Sequence, residues 1–244
     1  MKILTVISNY NEQGAIEATI RDARENATIR SDLLVIDNTS TDSSLEIVRK
    51  MDVSYLRHPV NTGGSAGVIK TALLYAYVNG YDAYCHMDGD HQHNARELNK
   101  IIEPIERGEG DIIIGSRFIQ REGFQSLPMR KIGIASFSRL ISGLTGQAIT
   151  DLTSGFRAYN RRAITFFARQ YNREFEACVQ MLMVSAYAGL RIREVPVVMN
   201  PRLTGQSEIN LRNALKFPVY GIISIIGTVM QKQAIQRLSH ATKP

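Results

Sequence analysis

Short hydrophobic segments alternate with longer helical patterns through the first half of this chain. Runs rich in β-branched and other apolar residues occupy 2–8, 33–36, 53–56, 83–87 and 111–115. Between them, apolar positions recur at helical spacing over 17–26, over 45–51, from a glycine-rich turn to residue 78, and over 95–106. Strands that alternate with helices in this way are typical of layered folds with parallel strands. The pattern predicts an α/β fold with a mostly parallel central sheet flanked by helices.

Polar residues follow the predicted strands, at the ends where a parallel sheet binds its ligands. Asn11 and Glu12 come after the first strand, Asp37 ends the second, and Asp88 closes the fourth. Each of them alone is equally well explained as a turn or capping residue. Their joint position at one edge of one sheet predicts a binding site there.

The segment 83–92 carries the clearest chemical signal, an uncharged strand that ends in two carboxylates. Asp88 and Asp90 are spaced i and i+2, and Gln92 follows them. At the end of a strand this spacing allows both carboxylates and an amide oxygen to converge on one hard cation. An EF-hand is excluded, because the loop needs glycine at its sixth position and His93 stands there. The pattern favours a divalent metal that holds a phosphorylated ligand, although Asp-x-Asp by itself is more often a solvated turn.

A glycine-rich turn at 61–67 precedes the predicted third helix. Gly63, Gly64 and Gly67 match neither the P-loop pattern nor the dinucleotide-binding pattern, so neither cofactor follows from them. Their spacing fits a ligand that approaches the backbone closely at a helix N-terminus.

Composition limits the partners of the chain. The 244 residues are 44% hydrophobic and 21% charged, which fits one globular domain with a C-terminal extension. The formal charge of +6 favours an anionic partner, but no basic run is interleaved with aromatic residues, so nucleic acid is not expected. Cys85 and Cys178 lie in apolar surroundings without Cys-x-x-Cys spacing, and the N-terminal segment is too short for a signal peptide. We therefore expect a cytoplasmic protein with reduced cysteines.

An ordered set of motifs runs through the chain, in the segments 8–12, 36–42, 61–63, 88–92, 115–117, 151–157 and 202–207. Together these motifs resemble the family 2 glycosyltransferases of GT-A fold. Within that family the chain looks most like the polyprenyl-phosphate sugar synthases, and the match covers roughly residues 3 to 208.

The resemblance implies a donor side that binds a nucleotide sugar, linked to uridine or guanosine diphosphate. Tyr10, Glu12 and Asp37 would hold its base and ribose, and Asn61 and Gly63 belong to the same side. The segment 88–92 would arrange Mg²⁺ or Mn²⁺ on the diphosphate through Asp88, Asp90 and Gln92.

The resemblance also implies an acceptor side. Arg117 and Arg202 would stabilise the phosphates of donor and acceptor, and together with Asp90 and Asp151 they form the expected catalytic set. Arg130, Ser154 and Arg157 would contact the acceptor. A polyprenyl phosphate is already anionic at pH 7 and needs no general base, so fixed guanidinium groups matter more than a carboxylate.

The sequence departs from the family pattern at several positions. Ser8 and Asn9 stand where a small residue and proline are common, and Asn38 and Thr39 replace the second aspartate and the glycine of the usual Asp-Asp-Gly-Ser. Ile134 stands where a serine is expected four residues after Arg130. These departures affect the donor pocket and the acceptor-phosphate pocket.

Two other functions stay open on the sequence alone. A glycan hydroxyl as acceptor would require a general base, for which Asp151 is the candidate. A nucleotide-binding protein without catalytic activity is the hypothesis that applies if the motif departures have disabled the site.

The C-terminal part, 209–244, is expected to form a helical extension to a catalytic domain at 1–208. Its uncharged stretch 217–230 is too short to cross a bilayer and has basic flanks. It fits a peripheral contact with the cytoplasmic membrane face, a membrane-bound partner, packing on the core, or a dimer contact. A second apolar stripe, formed by Phe137, Leu140, Ile141 and Leu144, leaves the same choice.

Overall fold

The computed structural model describes residues 1–120, 128–170, 179–203 and 211–241. Within these ranges seven strands form one sheet in the order β3-β2-β1-β4-β6-β5-β7. All of them are parallel except β6, which runs antiparallel to both of its neighbours. The strands are β1 (Ile3–Asn9), β2 (Asp32–Asp37), β3 (Ser54–Arg57), β4 (Ala83–Asp88), β5 (Ile112–Ser116), β6 (Arg157–Asn160) and β7 (Ile192–Pro196).

Helices connect the strands and cover the sheet. They are α1 (Ile16–Glu25), α2 (Ser44–Lys50), α3 (Ser65–Val78), α4 (Leu98–Glu106), α5 (Pro128–Thr145), α6 (Arg161–Arg169), α7 (Val179–Tyr187), α8 (Leu211–Met230) and α9 (Lys232–Ala241). A 3₁₀ turn, Ala95–Glu97, leads into α4. The predicted mostly parallel α/β sheet is thus confirmed.

The five strands predicted from the sequence are all present, each within two residues of its expected bounds. β1, β4 and β5 were recognisable because most of their side chains are buried on both faces and form continuous apolar runs, whereas the edge strand β3 is mostly exposed. At the start of α2 the Asp42 carboxylate accepts a hydrogen bond from the backbone N–H of Ser44 at 2.9 Å.

Alternate residues of β1 point into two separate cores. Leu4 and Val6 join the larger cluster, and Ile3 and Ile7 join the smaller one on the opposite face of the sheet. Because successive side chains of a strand alternate, one short strand ties both layers together. This is the layered architecture that the alternation of strands and helices indicates.

The C-terminal helices share the larger core with the sheet. Ile225 of α8 and Ile235 of α9 are buried in that cluster, and α8 packs on α7. Packing on the core is therefore confirmed for one face of 221–230, the part of the 217–230 stretch whose burial the structure describes. No helix in the described part of the chain combines the length and the apolar character needed to span a bilayer.

The strand register brings the polar ends of three strands side by side. Ser8 on β1 lies opposite Asp88 on β4, and Asn9 lies opposite Asp37 on β2. Parallel strands end at the same edge of a sheet, so the loops that follow them open onto a common space.

Candidate active site

A polar cleft of about 210 Å³ opens at this edge of the sheet. It collects side chains from the loops after β1, β4 and β5, from the loop before β6, and from the segment after β7. Its lining comprises Ser8, Tyr10, Glu12, Ser65, Asp88, Gly89, Asp90, Gln92, His93, Arg117, Thr153, Ser154, Gly155, Met199 and Arg202. Eight of the site residues proposed from the sequence thus meet in one cleft.

Asp88 is held from several sides. His86 Nε2 lies 3.3 Å from its Oδ1, His93 Nε2 lies 3.5 Å from its Oδ2, and the Ser8 hydroxyl donates to Oδ1 at 3.2 Å. Burial alone would raise the pKa of Asp88. The opposing effects of His93, His86 and Ser8 are larger, so the pKa of Asp88 lies well below the usual range of an aspartate. The carboxylate is therefore ionised and fixed in orientation.

The orientation of His93 follows from its hydrogen bonds. Its Nδ1 accepts from the backbone N–H of Asp88 at 2.9 Å, so in the neutral ring the proton is on Nε2, which faces the Asp88 carboxylate. Burial is the main cause that lowers the pKa of His93, which keeps the ring neutral.

Asp90 lies beside Asp88 at the floor of the cleft. Burial, and then the negative charge of Asp88, raise the pKa of Asp90. The backbone N–H of Gln92 donates to Asp90 Oδ1 at 3.0 Å, which curls the loop so that both carboxylates and Gln92 line one space.

Arg202 lies across this pair of carboxylates. Its guanidinium is hydrogen-bonded to Glu12, and its Nε is 3.7 Å from Asp90 Oδ2. Burial raises the pKa of Glu12 to about 7, against the opposing effect of Arg202. The charge of the guanidinium therefore offsets part of the repulsion among three neighbouring acids.

Arg117 is positioned by a two-point contact with Asp151. Its Nε and Nη2 donate to the two carboxylate oxygens at 2.8 and 2.7 Å, and Nη2 also donates to the Thr153 hydroxyl at 2.8 Å. Asp151 is fully buried beneath Arg117 and does not line the cleft. The bidentate pair holds a cation at the wall of the cleft in a fixed direction.

Neither Asp37 nor Asn61 is among the residues that line the cleft. The Asp37 carboxylate, which is fully buried, accepts from Asn9 Nδ2 at 2.7 Å and from the backbone N–H of Ser40 at 3.1 Å. Asn61 Oδ1 accepts from the backbone N–H of Gly63 at 3.0 Å and so shapes the turn before α3. Ser65, at the start of α3, reaches the cleft. Contact of Asp37, Asn61 and Gly63 with a nucleotide stays a prediction.

The predicted acceptor residues are separated. Ser154 lines the cleft, but its hydroxyl donates to the carbonyl of Gly115 at 2.6 Å. Arg157 lies in the core, where it donates to the backbone carbonyls of Ser154 and Leu152. It therefore supports this loop, which corrects the expectation that it contacts an acceptor. The side chain of Arg130 lies outside the described residues.

Comparison with known proteins identifies the family. Residues 5–166 match the model of glycosyl transferase family 2. The chain belongs to this family. It is a glycosyltransferase, as the sequence motifs implied.

Named relatives of this glycosyltransferase cover most of its length. The undecaprenyl-phosphate mannosyltransferase of Micrococcus luteus is 29% identical over 221 residues, which is 86% of this chain and 88% of that protein. The UDP-N-acetylglucosamine–dolichyl-phosphate N-acetylglucosaminyltransferase of Methanococcus voltae is 26% identical over 214 residues, 80% of this chain and 84% of that protein. Both are named for transfer of a sugar to a polyprenyl phosphate.

Solved structures of other glycosyltransferases share the fold. Mannosyl-3-phosphoglycerate synthase from Rubrobacter xylanophilus superposes with a TM-score of 0.68 at 14% identity, covering 97% of this chain and 76% of that one. Glucosyl-3-phosphoglycerate synthase from Mycobacterium tuberculosis, crystallised with Mn²⁺ and UDP, gives 0.66 at 17% identity, covering 93% and 79%. The fold of the glycosyltransferase is therefore GT-A.

Sequence reasoning missed several residues of the glycosyltransferase site. His86 and Ser8 look like parts of apolar strands, yet His86 stands two residues before Asp88 on the same face of β4, and Ser8 lies opposite Asp88 in the register. Gly155 stands out only as part of a motif, but a Cβ there would lie 2.9 Å from Asp88 Oδ2. A glycine in a motif otherwise rich in polar residues was the available signal for this close approach.

Proposed function

We propose that this glycosyltransferase moves a sugar from a nucleotide sugar to a polyprenyl phosphate in a metal-dependent, inverting reaction. The observation that supports this most is the cleft itself, where Asp88, Asp90 and Gln92 face two arginines, Arg117 and Arg202. Such a site suits two anionic phosphate groups that must approach each other.

The residues at the floor of the cleft fit a divalent cation. Burial and then the charge of the ionised Asp88 raise the pKa of Asp90, and a bound dication would relieve the repulsion between the two carboxylates. Two carboxylates and an amide oxygen form a donor set that suits Mg²⁺ or Mn²⁺. Among the described residues no three His, Cys, Asp or Glu side chains are grouped as a metal site, so the amide oxygen and oxygens of the ligand would complete the set. When bound, the cation supplies charge stabilisation to the diphosphate.

The protein side chains account for the remaining chemistry. A phosphate oxygen of the acceptor attacks the anomeric carbon while the bond to the nucleoside diphosphate breaks, so a single displacement inverts the configuration. Arg117, fixed by Asp151, and Arg202 neutralise the charge that grows on the leaving diphosphate and the charge of the incoming phosphate.

The acceptor assignment rests on two supports. The relatives from Micrococcus luteus and Methanococcus voltae are named for polyprenyl-phosphate acceptors. In addition, Asp151 is fully buried and paired with Arg117, so it is poorly placed to act as the general base that a glycan hydroxyl would need. The proposed acceptor locates the reaction at the cytoplasmic membrane face.

A transfer assay tests the proposal. The purified chain is incubated with Mn²⁺, a panel of UDP-linked and GDP-linked sugars, and a short polyprenyl phosphate, and the lipid fraction is analysed by mass spectrometry. We expect one donor to give a lipid-linked sugar, with the signal lost on chelation and in Asp90→Asn. Asp82→Asn, a substitution just before the opposite end of β4, is the matched control and should keep full turnover.

Three results would contradict the proposal. Product formation that survives both chelation and Asp90→Asn would remove the metal from the mechanism. Nucleotide release without any lipid product, combined with transfer to an oligosaccharide, would favour the glycan-acceptor alternative. Nucleotide binding without turnover for any donor would favour the nucleotide-binding protein without catalytic activity.

A further inference from the structure

The outward face of α8 is apolar and exposed among the described residues. Between positions 221 and 230, every exposed residue is a large hydrophobic one: Ile222, Ile223, Ile226, Val229 and Met230. Their exposed fractions range from 40% to 80%. At 3.6 residues per turn these five positions fall within an arc of about 120°. This set of five residues is called the α8 stripe below.

The opposite face of the same helix is docked on the core. Ile225 and Thr228 are 6% and 1% exposed, and Ile225 belongs to the larger hydrophobic cluster. The orientation of α8 is therefore fixed by packing, and burial of the α8 stripe cannot be obtained by rotating the helix without exposing Ile225.

Charge is distributed unevenly around the α8 stripe. The segments 124–150 and 211–244 hold eight of the 29 Lys and Arg residues and none of the 23 Asp and Glu residues. The rest of the chain, with 21 basic and 23 acidic residues, has a formal charge of −2. The whole positive excess of the protein thus lies on the two segments that contain α5, α8 and α9.

These two segments are in contact. Phe137 of α5 lies against Gly221 of α8 so closely that a Cβ at Gly221 would come within 2.9 Å of its ring. Arg139 and Leu140 of α5 are exposed, and Lys232 and Arg237 are exposed on α9. The predicted stripe of α5 is divided, because Ile141 is buried while Leu140 is 49% exposed. The neighbouring helices α5, α8 and α9 therefore carry exposed apolar and exposed basic side chains, and the two segments that contain them hold no acidic residue.

We propose that this surface, the α8 stripe with Leu140, Arg139, Lys232 and Arg237, is a docking face for the surface of an anionic lipid bilayer. The apolar side chains enter the interface and the basic ones meet lipid phosphates. The inference deepens the proposed function and rests on it, because a polyprenyl acceptor is held in a membrane. A second copy of the chain fits less well, because pairing two such faces would bring like charges together.

Vesicle flotation tests the docking face directly. The full chain is mixed with vesicles of phosphatidylcholine alone or with phosphatidylglycerol, at about 0.1 M and about 1 M salt, which shortens the screening length from about 10 Å to about 3 Å. We expect binding to the anionic vesicles at low salt and a loss of most of it at high salt. The double variant Ile223→Ser/Ile226→Ser should reduce partitioning about tenfold or more.

Matched variants separate the contributions of apolar and basic side chains to vesicle binding. Tyr55→Ser/Val78→Ser removes two exposed apolar side chains elsewhere and should bind like the native chain. Lys232→Glu/Arg237→Glu should abolish the preference for anionic vesicles. Unchanged flotation of the Ile223/Ile226 double variant would overturn the proposal, as would light scattering that shows a native dimer and a monomeric double variant.

The same variants distinguish this inference from the proposed function. Transfer to a short, water-soluble polyprenyl phosphate should proceed equally in the native chain and in Ile223→Ser/Ile226→Ser. Transfer without vesicle binding would refute the docking face alone. Vesicle binding without any transfer would refute the proposed function alone.

Discussion

The carboxylate of Asp88 is oriented by residues that do not themselves need to touch a ligand. His93 accepts the backbone N–H of Asp88 and turns its protonated nitrogen toward the carboxylate of the same residue. His86 approaches the other carboxylate oxygen and is anchored by Tyr84, whose hydroxyl lies 2.6 Å from His86 Nδ1. Partners of this kind set the direction and basicity of a ligating carboxylate.

Replacement of His93 should therefore weaken metal binding. We expect His93→Ala to reduce the Mn²⁺ affinity, measured by calorimetry with the nucleotide present, by about 10- to 100-fold. His93→Asn should recover part of the loss, because its amide oxygen can accept the backbone N–H of Asp88. Equal affinities for His93→Ala and the native chain would show that the imidazole has no positioning role.

Loss of the Asp151 carboxylate should affect both stability and turnover. Asp151 is fully buried and the Arg117 side chain is only 11% exposed, so Asp151→Asn leaves a guanidinium without its counter-charge. We expect a loss of about 3 kcal/mol in the free energy of unfolding, measured by urea titration, together with a lower kcat. Glu17→Gln, in an exposed pair with Arg21, is the control and should change stability by less than about 1 kcal/mol. If Asp151→Asn kept native stability but lost turnover, Asp151 would act as a general base rather than as a structural support of Arg117.

Thr39 adopts a backbone conformation that suits glycine. Its φ of 67° is unusual for a β-branched residue and occurs where the family pattern has glycine. We expect Thr39→Gly to be more stable than Thr39→Ala by about 1 kcal/mol in thermal unfolding, since only glycine avoids the left-handed penalty. At Thr41, whose φ is not positive, the order should reverse. If the glycine variant were more stable than the alanine variant at both positions, the positive φ would not explain the result at Thr39.

Among the elements, the loops after β2 and β3 are joined by one hydrogen-bond network. His58 Nδ1 lies 2.9 Å from Asn38 Oδ1, and Nε2 lies 2.9 Å from the hydroxyl of Thr71 on α3. Asn38 also donates to Asn61 Oδ1, which shapes the turn before α3. Asn38, one of the departures from the family pattern, thus connects loops on the predicted donor side.

This network makes stability depend on pH. Burial lowers the pKa of His58 below 6.5, although Asp37 opposes the shift. Because the unfolded chain binds the proton more readily, the contribution of His58 is present above pH 6.5 and is lost as pH falls through the lower folded pKa. We expect the melting temperature of His58→Asn to fall less than that of the native chain between about pH 7 and about pH 5. Parallel curves would contradict this assignment.

At the scale of the whole molecule, the sequence predicts the parallel part of the sheet but not its antiparallel strand. The strands β1, β2, β4 and β5 are mainly apolar runs between recognisable turns, and β3 follows from its position between two helical patterns. These patterns can be read from the sequence alone. The strand β6 has four residues and begins with Arg157, whose burial depends on carbonyl groups supplied by its own loop. In the sequence, an arginine at the end of a polar motif looks like a residue that contacts a ligand. The burial of Arg157 could therefore not be predicted from the motif.

The composition of the cleft was likewise predictable in part. Carboxylates, arginines and glycines at the ends of strands identify the edge of the sheet, and the register then brings Ser8 to Asp88. Which residues face the cleft and which support it depends on loop geometry. Asp37 and Asp151 carry the same side chain as Asp88, yet both are fully buried by partners that are distant in sequence.

The identity of the accepting group is the most direct test of the proposed function. The native chain, with Mn²⁺ and its preferred donor, is offered equal amounts of a polyprenyl phosphate and the corresponding polyprenol, and the products are resolved by mass spectrometry. We predict a sugar phosphate diester of the lipid and no glycoside of the alcohol, because Arg117 and Arg202 select an anionic acceptor. Comparable transfer to the polyprenol would contradict this mechanism.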